Sequence, residues 1–73
     1  MQNDLKVGDW VRIIADGCEG QCGIILSFTV DIFGFQQVLV RLRRHPDGFV
    51  KYPKNIVLIS EDEAMIGLLE DAD

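Results

Sequence analysis

Apolar and polar residues alternate along most of this chain with the two-residue period of β-strands, and the period becomes helical only beyond residue 60. Over residues 10–14 the alternation sets Val11 and Ile13 on one face and Trp10, Arg12 and Ile14 on the other. Residues 22–30 form a longer apolar run. Ile24, Leu26 and Phe28 compete there with Ile25 for the inward face, so a bend or bulge is expected. The clearest strand covers 36–44, with Val38, Val40 and Leu42 as its core face and Leu39, Arg41 and Arg43 opposite. Two shorter strands follow at 49–52 and 56–59. Ala64, Met65, Leu68 and Leu69 then recur at helical spacing, behind Ser60 and Glu63 placed as in a capping box, which predicts a short amphipathic helix over 61–70. Gly67 weakens that helix by roughly 1 kcal/mol relative to alanine.

The punctuation between these runs is turn chemistry. Glycines at 17, 20 and 23 shape a tight turn over 15–21. Asp31 and Gly34 mark another turn, which carries Ile32, Phe33 and Phe35. Those three side chains either fold back over an open end of the core or stand out as an apolar contact patch. His45-Pro46-Asp47-Gly48 reads as a turn, and Pro53-Lys54-Asn55 as a single 3₁₀-like turn before the last strand. Residues 1–6 form a polar lead-in and 71–73 a tail. The whole predicts one domain over 1–73, all-β, a five-stranded barrel over about 7–59 with a short C-terminal α-helix.

The series Gly8-Asp9-Trp10-Val11-Arg12-Ile13, followed by Gly17, Gly20 and Gly23-Ile24-Ile25, resembles the KOW motif. That motif occurs in NusG-type transcription factors and in a large-subunit ribosomal protein, within an SH3-like barrel. Tyr52-Pro53-Lys54-Asn55-Ile56-Val57-Leu58-Ile59 is similar to the 3₁₀ turn and last strand that close many such barrels. The resemblance implies an SH3-like barrel and, among its roles, contact with RNA. KOW segments that touch RNA carry lysine or arginine around the glycine turn, whereas this turn holds Asp16 and Glu19. A weaker, fold-level similarity extends to type II dihydrofolate reductases, through the Gly-Asp-x-Val-Arg start and the pairs His45-Pro46 and Tyr52-Pro53. Their Val-Gln-Ile-Tyr pore strand is replaced here by Phe49-Val50-Lys51-Tyr52, so reductase activity is not expected. The photosystem I subunit that helps dock ferredoxin shares only the fold and a Val-Arg-Ile opening.

Composition narrows the function. A chain of 73 residues buries only about 60% of the surface its unfolded form exposes, which makes association with a second copy a route to further burial. With no signal-like segment and no apolar run near membrane-spanning length, a cytoplasmic protein with free thiols at Cys18 and Cys22 is expected. These two cysteines and His45 offer at most three soft ligands where structural zinc takes four, so no metal is expected. No nucleophile–base set, paired catalytic carboxylates or phosphate-binding loop can be assembled, so neither enzyme activity nor a cofactor is expected.

Charge is unevenly placed within a net of −5. Residues 41–54 hold Arg41, Arg43, Arg44, Lys51 and Lys54 against Asp47 alone, and residues 61–73 hold six acids and no base. Arginine and aromatic side chains dominate binding energy at interfaces. The candidate partner surface therefore combines Arg41, Arg43 and Lys51 with Trp10, Phe33, Phe35 and Tyr52. Its expected occupant is another protein or a second copy of this chain. The alternative is RNA, in a transcription or translation accessory of the KOW type, using the same basic face. An isoelectric point near 4.6 weighs against a general affinity for polyanions.

Overall fold

The computed structural model describes residues 5–70; the expected lead-in up to residue 4 and the tail at 71–73 lie outside the described residues. Five strands, β1 (Trp10–Ile13), β2 (Cys22–Val30), β3 (Gln36–Leu42), β4 (His45–Lys51) and β5 (Ile56–Leu58), precede one helix, α1 (Glu61–Glu70). A 3₁₀ turn at Pro53–Asn55 joins β4 to β5. All pairings are antiparallel, in the order β4-β3-β2-β1-β5, and among the described residues no ladder joins β4 to β5. The expected β1–β2 hairpin across the glycine turn is present.

A flat five-stranded sheet would hold its edges about 19 Å apart. The link from the end of β4 to the start of β5 is residues 52–55, three of them in a 3₁₀ turn that advances only about 2 Å per residue. So short a link requires a strongly curled sheet. Its concave face holds the main core of Val11, Ile13, Ile25, Val38, Val40, Leu42 and Ile56.

Two irregularities steer the strands. The β2–β3 register shifts between Ile25 and Ser27, which resolves the competition seen in the sequence: Ile25 is buried, and Leu26 occupies the break. The second is a correction. His45-Pro46-Asp47-Gly48 is not the turn; the chain reverses at Arg43 and Arg44, Leu42 pairs with His45, and residues 46–48 bulge out of β4. Proline is admissible there because β4 is an edge strand. Gly48 takes φ +105° with Leu39 so near that an added Cβ would lie 2.6 Å from Leu39 Cδ1.

Helix α1 packs on the convex face. Ser60 Oγ accepts the Glu63 N–H at 3.1 Å, capping the first turn. A second small core forms from Cys22, Ile59 and Ala64, flanked by Trp10 and Val57. Gly67 is what lets the helix lie this close, since a Cβ there would stand 2.5 Å from Cys22 Sγ. Cys18 is half-buried, and both thiols are free.

Candidate functional site

The seven residues expected to form one surface occupy three places. Lys51 is the clear departure from expectation. It pairs with Val38, which points its side chain to the concave face, and the residue is only 3% exposed. Its ammonium donates to the carbonyl of Ala15 at 3.2 Å, of Gly17 at 2.8 Å, and of Asp16 between them. Three donors meet three acceptors, and the Phe49 ring centroid lies 5.1 Å away. Asn55 adds a bond from Nδ2 to Asp16 Oδ2 at 2.9 Å. Lys51 and Asn55 thus clamp the glycine turn, in which Asp16 and Cys18 also adopt positive φ. Lys51 is a structural cation, not a member of a partner-facing surface.

Arg41, Arg43 and Trp10 border a groove of about 620 Å³ on the convex face, between β2–β3 and α1, floored by Cys22 and Ile24 and walled by Leu68. Both arginines are exposed and Trp10 is half-buried. Arg12, on the same face, approaches Glu63 of α1 at 3.9 Å, an exposed pair that contributes little to stability.

Phe33, Phe35 and Tyr52 meet at the far end of the β2–β3 hairpin, around a hollow of about 530 Å³ that also includes Asp31 and Pro53. Asp31 organises this end. Its Oδ1 accepts the N–H of Phe33 at 2.8 Å and of Phe35 at 2.9 Å, and its Oδ2 accepts the Tyr52 hydroxyl at 2.7 Å. The Asp31 N–H donates to Phe35 O at 2.9 Å, and the Gly34 N–H donates to Asp31 O at 3.0 Å. Partial desolvation works to raise the carboxyl pKa. The bonds donated by Tyr52 and by the Phe35, Phe33 and Gly34 N–H groups outweigh it, and Asp31 titrates below its ordinary value. The same bond raises Tyr52 above the usual phenol value, with desolvation and the carboxylate charge adding to it.

So fixed, the loop does not cap the core. Ile32 is 92% exposed, Phe33 77% and Phe35 66%. The patch runs on into β2, where Val30 is 63% exposed and Phe28 is partly so. Sequence reasoning missed the scaffold role of Asp31 and the membership of Phe28 and Val30. An aspartate two and four residues ahead of the amides it binds, with a glycine between, is the signal that could have found the scaffold.

Among the described residues no three His, Cys, Asp or Glu side chains gather where they could hold a metal ion, and no helix is long and apolar enough to cross a membrane. No family model, curated protein or solved structure matches this chain.

Proposed function

We propose that this chain is a non-catalytic binding module of the SH3-like barrel kind, which engages another protein through the apolar end formed by the 31–35 loop and the tip of β2. One observation carries the reading: Asp31 hydrogen-bonds the backbone of a loop that presents three large apolar side chains to water. A loop that merely reverses the chain has no need of them, and an aromatic anchor on a pre-ordered backbone loses less entropy on binding. The barrel part of the proposal is supported by the short 52–55 link and by Lys51 reaching from β4 to the β1–β2 turn. The test is affinity capture from cell extract with wild type and Phe33→Ser/Phe35→Ser as paired baits. Proteins retained by wild type alone are expected; identical retention by both contradicts the reading.

A second reading rests on the other cluster. Arg41 and Arg43 face Trp10 across the convex groove, with Ile24 between, an arrangement suited to a phosphate backbone with a stacked base. Mobility shift with single- and double-stranded RNA at two salt concentrations decides it. Salt-sensitive binding lost in Arg41→Ala/Arg43→Ala supports an RNA accessory, and no shift at low salt removes it.

A further inference from the structure

The two edges of the sheet are guarded against pairing with another chain. β4 carries Pro46 and a bulge, and β5 is only three residues long. Among the described residues nothing guards the outer half of β2. Its ladder with β1 covers residues 22–24 and ends with the Ile25 N–H on Asp9 O at 3.0 Å and the Gly8 N–H on Ile25 O at 2.9 Å. A turn closed by the Asp9 N–H on Lys6 O at 3.0 Å stops the ladder there. Past that point, among the described residues, β2 pairs with β3 only, from Ser27↔Leu39 to Val30↔Gln36.

Which backbone groups are left over follows from the alternation of antiparallel ladders. The Asp31 N–H donates to Phe35 O, so that pair occupies a hydrogen-bonded position of the ladder, its Phe35 N–H turning instead to Asp31 Oδ1. Counting back along the same register, Thr29↔Gln37 and Ser27↔Leu39 do so too, while Val30↔Gln36 and Phe28↔Val38 do not. The N–H and C=O of Phe28 and Val30 therefore point to the free side of β2, where no described residue pairs with them.

We propose that the occupant of this edge is a second copy of the chain, paired antiparallel about a two-fold axis at Thr29. This deepens the binding-module reading and rests on it. In that register Phe28 faces Val30 of the other copy and Val30 faces Phe28, so each unpaired N–H and C=O meets a complement. The aromatic and β-branched side chains also pair across the junction. Charge selects the same partner. A chain of net charge −5 repels its own copy, yet residues 23–40 contain a single charge, Asp31, already bound by Tyr52 and the loop amides. This arm is where two copies meet with least repulsion. An open antiparallel edge joined to itself is also isologous, so it closes at two.

Thr29 is exposed and faces its own copy across the axis, which makes its charge a reporter of the register. Sedimentation equilibrium on the full chain is expected to show a reversible dimer. Thr29→Lys alone and Thr29→Asp alone should each weaken it by roughly fivefold. An equimolar mixture of the two should regain wild-type association. In amide exchange, the Phe28 and Val30 N–H groups should gain protection as concentration rises. A wild-type chain that stays monomeric overturns the proposal, as does a dimer indifferent to both substitutions or a mixture no tighter than its components. Capture of a different protein that depends on Phe33 and Phe35 would survive each of those results, so the binding-module reading stands or falls separately.

Discussion

The two halves of β2 carry similar side chains into different surroundings. Before the break at Leu26, Ile25 is sealed between the ladders to β1 and β3. Beyond it, Phe28 and Val30 lie on the face that also carries Val38, but at the rim, with Val30 largely in water. The inner half is tied down by Lys51 and Asn55 on the glycine turn, the outer half by Asp31 and Tyr52. Both are tied by hydrogen bonds, yet only one is sealed. The difference teaches that apolar character alone does not assign a residue to the core; the reach of the neighbouring strand does, and β1 is short.

Removing the inner clamp should have the largest effect. Lys51→Met leaves three turn carbonyls without their donor and should cost roughly 2–4 kcal/mol in urea unfolding. In a domain of this size each kcal/mol lowers Tm by about 4–8 °C. A loss below about 0.5 kcal/mol would mean that water replaces the ammonium freely.

Gly67→Ala is next in size. Helix propensity alone predicts a gain of about 1 kcal/mol. The contact with Cys22 Sγ predicts a net loss of about 1–2 kcal/mol, relieved when Cys22→Ala is added. Additive effects in the double-mutant cycle would show that the helix shifts without cost.

The outer clamp is read by pH. Tyr52 is the chain's single tyrosine, so ultraviolet titration reports it directly. Its phenol should ionise above the ordinary range and move down in Asp31→Asn. The signs are opposite for the two partners. Asp31, lowered on folding, contributes stability that is present above its unfolded pKa and lost as pH falls through the lower folded one. Tyr52, raised on folding, contributes stability present below its unfolded pKa and lost as pH rises through the folded one. A Tyr52 titration unchanged by Asp31→Asn would contradict the scaffold.

Strand periodicity made the core face of β3 and the need for a break in β2 legible, because one-sided burial leaves a two-residue pattern in the side chains. It misplaced Lys51. Alternation from Phe49 puts residue 51 inside, yet charge argued for outside, and only the three turn carbonyls, distant in sequence, reverse the balance. Pro46 and Gly48 are turn residues by local chemistry. The edge position of β4 and the contact with Leu39 make them a bulge instead, and neither is local information. Gly67 looked like a defect because its partner, Cys22, lies on a strand 45 residues away. For the site, the aromatic residues were identifiable, but their division into two clusters depends on the curl of the sheet.

Urea unfolding of Phe33→Ser/Phe35→Ser at low protein concentration asks whether these rings stand outside the core. Exposed anchors predict a free energy within about 0.5 kcal/mol of wild type. A loss of 3 kcal/mol or more, of the order seen when buried phenylalanines are truncated, would make the loop a cap on the core and contradict the account.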